Sequence, residues 1–244
     1  MEETVRRAVE RAITTMRANL GEPLTIEDLA RSAMFSKFHF CRIFRQATGT
    51  SPARFLSALR LAEAKRLLRT TPMTVTRICH QVGYSSVGTF STQFSLRVGT
   101  TPNSYRHFGS FSPGASNTTE PGTVVRGNII APYGITPGPI FVGLFRTRIP
   151  EGKPIRHAVL DCPGPYALTG VPEGDWQLLA HLIEPVDMPY IGWRGAITVR
   201  PDLTARLADI PMRPMRWFDP PVLIALPQPR LAPAGSGQLA VSVG

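Results

Sequence analysis

The sequence predicts two domains of different class: an all-α domain built from a repeated pair of helices, followed by an all-β antiparallel sandwich. Three observations carry this reading. One helical unit occurs twice between residues 24 and 105. The helical period then stops at a Gly/Ser/Pro/Thr-rich stretch, GSFSPGASNTTEPG, residues 109–122, which reads as a linker. Beyond it, short apolar runs recur between Pro and Gly turns, as they do in sandwiches. Charge divides at the same place. Residues 1–110 carry a net +9 and residues 111–244 only +1, while 20 of the 24 prolines and all three tryptophans lie in the second part. A basic first domain beside a near-neutral second one assigns a polyanionic partner to the first.

The elements follow in order. Val5, Val9, Ala12, Ile13, Met16 and Leu20 recur at helical spacing and stop at Gly21. Thr25 caps a short helix, with Asp28 as its capping-box partner and Ile26, Leu29, Ala30 and Ala33 inward. Ser36 caps the next helix, which buries Phe40, Ile43, Phe44 and Ala47 and ends at Gly49. Ser51-Pro52 is a cap followed by proline at the first helical position. The long helix after it runs to about Arg69, turns Phe55, Leu59, Ala62 and Leu67 inward, and ends at Thr71-Pro72.

Then the pattern returns. Leu24-Thr25-Ile26 matches Met73-Thr74-Val75, Leu29 matches Ile78, Ala33 matches Val82 and Phe35 matches Tyr84. One residue is gained near Ser85-Ser86. Phe40 then matches Phe90, Phe44 matches Phe94, Gly49 matches Gly99, Pro52 matches Pro102 and Phe55 matches Tyr105. A short helix, a tight turn and a second helix ending in glycine make a helix-turn-helix, here in two copies. In the second part the expected strands are Val124–Ile130, Ile140–Phe145, Ala158–Leu160, Tyr166–Thr169, Trp176–Ile183, Ala196–Val199 and Val222–Leu226. The β domain is placed at 123–227, and residues 228–244 are read as a disordered tail.

Several function classes receive no support. No run of 18 apolar residues marks a transmembrane helix. The start, MEETVRRAVERA, lacks the apolar core of a signal peptide. Cys41, Cys79 and Cys162 form neither a disulfide framework nor a zinc spacing, which suits a reducing cytoplasm. His157, Asp161, Cys162 and His181 lack tight ligand spacing, so no metal or other cofactor is expected. No Gly-rich phosphate loop or Ser/His/Asp pattern is evident, so no catalytic residue is assigned and no enzyme is expected. Trp176, Trp193 and Trp217 are read as core fillers.

The stretches LTIEDLARSAMFSKFHFCRIFRQATGTSPARFLSALRLAEAKRLL and VTRICHQVGYSSVGTFSTQFSLRVGTTPNSYR resemble the AraC/XylS-type DNA-binding domain over roughly residues 5–107. Gly83-Tyr84, Phe90, Phe94, Gly99, Thr101-Pro102 and Tyr105-Arg106 reproduce that family's signature in order. The resemblance implies a DNA-binding domain at 1–108, with helix-turn-helix units at about 24–49 and 73–99 joined by the helix 52–69. Their second helices are expected in successive major grooves of double-stranded DNA. The second domain resembles carboxypeptidase-regulatory-like, or transthyretin-like, sandwiches through Gly164-Pro165-Tyr166-Ala167-Leu168-Thr169-Gly170-Val171-Pro172-Glu173-Gly174-Asp175-Trp176. That likeness implies a scaffold and no particular ligand.

A recognition helix buries one face and offers the other to DNA. With Phe40, Ile43, Phe44 and Ala47 inward, Phe38, Cys41, Arg42 and Arg45 face outward. Arg42 is the expected base reader, since a guanidinium can donate two bonds to guanine, worth about 1–3 kcal/mol of discrimination. Phe38 suits thymine methyls or a cap against the neighbouring helix, and His39 sits at the N-terminal edge where bases come close, although the family resemblance implies a backbone or packing contact for it. Ser36, Lys37, Arg45, Ser86 and Arg97 are assigned to phosphates. The second helix offers Val87, Gly88, Ser91 and Thr92, with Ser95 beyond, and Thr92 stands where the first has Arg42. No acidic residue occurs between Glu63 and Glu120. The first unit is therefore expected to read sequence, and the second to bind phosphate and read shape.

The expected protein is a bacterial sequence-specific transcription regulator, cytoplasmic and nucleoid-associated. Its β domain senses a small-molecule effector, assembles subunits or contacts another protein, RNA polymerase among the candidates, and no membrane is involved. The rival readings are a DNA-directed enzyme and a nonspecific architectural DNA binder.

Overall fold

Each of the two helical units is fixed at its ends by short polar side chains and closed around phenylalanine. The computed structural model describes residues 3–108, 122–132, 138–183, 189–200 and 205–226. Its helices are α1 (Glu3–Ala18), α2 (Ile26–Ala33), α3 (Lys37–Thr48), α4 (Pro52–Thr70), α5 (Val75–Gln81), α6 (Val87–Val98) and α7 (Pro102–Phe108). Thr25, Ser36, Ser51, Thr74 and Ser86 each accept a backbone N–H three residues on, satisfying a donor the helix itself leaves orphaned. Thr25 and Asp28 complete the capping box. No helix among the described residues is long and apolar enough to cross a membrane.

The long helix α4 serves both units. Phe55, Leu56 and Leu59 join the first core with α1, α2 and α3, whereas Ala58, Leu61, Ala64, Leu67 and Leu68 join the second with α5, α6 and α7. Gly83 sits in the turn of the second unit at φ 84°, and a Cβ there would lie 2.4 Å from the Leu20 carbonyl oxygen. Only glycine satisfies both the left-handed backbone and the close approach.

The β-rich region follows with β1 (Thr123–Ile130), β2 (Ile140–Phe145), β3 (His157–Leu160), β4 (Pro165–Val171), β5 (Gly174–Leu182), β6 (Tyr190–Val199), β7 (Ala205–Leu207), β8 (Ile210–Pro211) and β9 (Arg213–Pro214). One sheet has the order β4-β1-β7, with β8 also on β1, and the other has β3-β2-β5-β6-β9. Val125, Ile129 and Leu168 from the first share a core with Val142, Leu144, Leu178 and Ile197 from the second. The expected all-antiparallel arrangement is not what forms: β1 pairs in parallel with β7 and β8. The chain crosses from the second sheet after β6 and runs alongside β1 in the same direction, which a hairpin connection cannot do. Between β7 and β8, the Ala208 carbonyl oxygen would lie 2.5 Å from a Cβ on Gly127, so that strand position also requires glycine.

Val222–Leu226 forms no strand, contrary to its apolar composition. It is a strap whose backbone bonds go to loop and helix end. Leu223 N donates to Pro150 O at 2.9 Å, and Ala225 N donates to Val98 O at 3.1 Å. Leu223 and Ala225, with Ile149, belong to the core of the second helical unit. Trp217 and Phe218 pack against the first. The other face of the strap meets Phe141, Phe145, Leu179 and Ile191, so β2 is buried on both sides. The three tryptophans lie in three different clusters, Trp176 between the sheets, Trp193 beside the strap and Trp217 against the helices. Residues 109–121 of the expected linker at 109–122, and the tail at 228–244, lie outside the described residues.

Polar contacts join the same surfaces. Glu151 receives Arg97 Nε at 2.5 Å and also Arg54. Lys65 Nζ donates to Val222 O and Ile224 O at 3.1 and 2.9 Å. Burial, with Arg69 nearby, holds the Lys65 ammonium down to about 7, and burial, with Lys65 nearby, holds His181 down to about 4.

Two outcomes follow. Leu223 has no exposure, so Leu223→Ala should cost about 2–5 kcal/mol. Helical and strand signals should fall in a single urea transition, because the core is shared; two separate transitions would contradict that sharing. Second, His181 binds fewer protons folded than unfolded between about 4 and 6.5, so its contribution makes stability rise with pH across that window. Lys65 adds a rise of the same sign between about 7 and 10.5. Denaturation of wild type and His181→Phe over a pH series should show the lower slope reduced in the variant.

Candidate nucleic-acid interface

Aromatic pairs set the rotation of both recognition helices. In α3, Phe40 and Phe44 meet edge-on at 5.5 Å, and Phe44 meets Phe55 of α4 at 5.4 Å. In α6, Phe90 and Phe94 lie 5.7 Å apart, and Phe94 meets Tyr105 of α7 at 5.7 Å. These rings have little or no exposure. The opposite faces are therefore turned to solvent, as helical periodicity requires.

On α3 three of the four residues expected on the outer face, Phe38, Arg42 and Arg45, are exposed, and the fourth, Cys41, turns instead towards the first core. Arg42 and Arg45 are exposed, and neither has a carboxylate partner among the described residues. Phe38 is 87% exposed, which removes the alternative of a hydrophobe capping the neighbouring helix. His39 is half-buried, stacked on Phe35 with centroids 4.8 Å apart, and Arg42 Nη2 lies 3.5 Å from its Nδ1. Cys41 is half-buried against the first core. Lys37 already pairs with Glu27 at 2.5 Å, an exposed contact that water screens and DNA can replace.

On α6 the face is small and neutral. Gly88 and Thr92 are exposed, Ser91 and Ser95 half-buried, and Val87 packs partly against the second core. A Cβ on Gly88 would approach nothing closer than the Ser86 hydroxyl at 3.7 Å. The chain's own packing gives no reason for glycine there. Ser36 and Ser86, the N-caps, are exposed at the two helix starts, where partial positive charge favours an anion.

Arg97 is a correction. Its place is inside, 9% exposed, with Nε on Glu151 and Nη1 on Ser57 Oγ at 2.6 Å. It follows Phe90 and Phe94 at seven and three residues, so it shares their inward stripe. The loop carrying Glu151 closes over it, and its guanidinium does not reach the outer face with Thr92.

One residue escaped the sequence reading. Met34 has a left-handed backbone, φ 63°, and is 79% exposed close to the start of α3. The repeat places it opposite Gly83, so a side chain on a glycine position was the available signal. His157, Asp161, Cys162 and His181 do not come together, and no cluster of three or more His, Cys, Asp or Glu that could hold a metal ion forms among the described residues.

A family model described as a helix-turn-helix domain matches residues 29–107. The lactose operon transcription activator of Staphylococcus xylosus is 29% identical over 105 residues, 43% of this chain and 38% of that protein. The RCS-specific HTH-type transcriptional activator RclR of Escherichia coli (strain K12) is 36% identical over 86 residues, 35% of this chain and 30% of that protein. The chain thus spans well under half the length of these curated relatives. A crystal structure of a transcriptional regulator from Chromobacterium violaceum, titled as of the AraC-type DNA-binding domain-containing proteins, is 31% identical. It aligns with 42% of this chain and 91% of its own, at a TM-score of 0.41. Residues 29–107 are thus a helix-turn-helix domain, the part of the chain that is similar to these transcription regulators.

Proposed function

We propose that the chain is a sequence-specific DNA-binding regulator of transcription, with α3 and α6 in successive major grooves and the β-rich region, read as a sandwich, receiving the controlling input. The observation that carries this is the repeated anchoring of α3 and α6, which gives two solvent-facing recognition surfaces of unequal chemistry. Arg42 reads a base, with His39 beside it. Phe38 offers an apolar surface to thymine methyls. Ser36, Lys37, Arg45 and Ser86 meet phosphates. Val87, Gly88, Ser91 and Thr92 let α6 approach closely while specifying little. Arg97 is left out of this interface. An effector, a second subunit or RNA polymerase is engaged through the β-rich region, in the cytoplasm.

Selection of bound sites from random duplex DNA by the full chain tests the reading. A single motif spanning two adjacent grooves is expected, and recovery of no motif favours a nonspecific architectural binder. On the selected site, Arg42→Ala should lose about 1–3 kcal/mol of discrimination at one base pair, while Thr92→Ala changes specificity less. Arg45→Ala should weaken matched and scrambled sites alike and lower the slope of log affinity on log salt by about one. Gly88→Ala should stabilise the free protein by up to about 1 kcal/mol, since helix propensity favours alanine. The same substitution should weaken DNA binding if the α6 backbone sits against the groove; unchanged binding would remove Gly88 from the interface.

A further inference from the structure

A cleft of about 450 Å³ lies between α4 and the second sheet. Lys65 and Arg69 of α4 and Tyr105 of α7 form one wall, and His181, Ile183 and the strap form the other. Its charges are unbalanced. Lys65 spends two N–H groups on the strap carbonyls and stands 5.7 Å from the Tyr105 ring centroid. Arg66, on the rim, is already paired with Glu63. Arg69 lies close enough to Lys65 and Tyr105 to act on both. The Nδ1 of His181 is buried without a hydrogen-bond partner. No carboxylate lines the cleft among the described residues.

Burial is the main reason that Lys65 and His181 are both held low, and a neighbouring cation adds to it, Arg69 for Lys65 and Lys65 for His181. An anion reverses this, since it favours charge on each. The opposite wall is apolar, with Ile183, Ile224 and Leu226. An inorganic anion would leave that wall unused, and a neutral apolar molecule would leave the cations unpaired.

We propose that this cleft binds a small organic acid, its carboxylate between Lys65, Arg69 and His181 and its apolar body against Ile183, Ile224 and Leu226. The site joins the helix that links both recognition units to the β-rich region. Its role as an effector site rests on the regulator reading; the binding itself does not.

The full chain is titrated calorimetrically without DNA, using cyclohexanecarboxylate, the neutral cyclohexanecarboxamide and inorganic phosphate. The carboxylate should bind with one-to-one stoichiometry, and the amide and phosphate at least about tenfold more weakly, as loss of a charge-assisted pair or of apolar burial predicts. Arg69→Gln, an exposed position, should weaken the carboxylate about tenfold without changing the melting temperature of the free protein. Histidine NMR should show the His181 pKa rise by about one unit or more on saturation. Absent carboxylate binding, binding indifferent to Arg69→Gln, or equal binding of phosphate overturns the proposal. All these measurements omit DNA, so their failure leaves the DNA-binding reading standing, and failed site selection leaves the cleft standing.

Discussion

The rotation of two helices about their own axes governs which side chains the helical units present to solvent. In α3 it is set by Phe40 and Phe44 against Phe55, and in α6 by Phe90 and Phe94 against Tyr105. Burying an aromatic ring recovers kilocalories per side chain, far more than any exposed polar contact on the other face. A helix with two such rings four residues apart has one favourable rotation. Arg42 and Arg45 are thereby directed outward on α3, and Gly88 and Thr92 on α6. The same constraint takes Arg97 out of the interface, because it lies on the buried stripe.

The same apolar demand couples the two regions. The second helical core is not closed by helices alone; Ile149, Leu223 and Ala225 complete it from the β-rich side. The strap is a two-faced layer, with the second sheet on one side and the helices on the other. Arg213 forms two bonds, at 2.6 and 2.8 Å, to the carboxylate of Asp219 just before the strap, and Asp219 is only 1% exposed. Breaking one partner of such a pair leaves a buried charge, so the turn that launches the strap is tightly specified. The strap is bonded directly to Val98 and Lys65, which lie on α6 and on the helix joining the two units.

Much of this was legible residue by residue. The caps Thr25, Ser36, Ser51, Thr74 and Ser86 are local devices, and their bonds reach only three residues along the chain. The paired phenylalanines and terminal glycines revealed the repeat for the same reason. The expected strand Ile140–Phe145 coincides with β2. Val222–Leu226 has equally apolar composition yet forms no strand, because its backbone partners are Pro150 in a loop and Val98 at a helix end, and neither offers a strand to pair with. The parallel pieces β7 and β8 were illegible too, being three and two residues long. A run that short carries no period to read.

By itself the sequence determined the helices, the repeat, the outward Arg42 and the asymmetry between a cationic α3 and a neutral α6, because each follows from spacing within one element. Tertiary structure alone decided that Arg97 pairs with Glu151, that the strap closes a helical core, and that Lys65, Arg69 and His181 meet around one cleft. Those residues come together through burial between elements up to 159 positions apart, as in the bond from Lys65 to Ile224. Periodicity records which face of an element is apolar; it does not record which distant surface will cover that face.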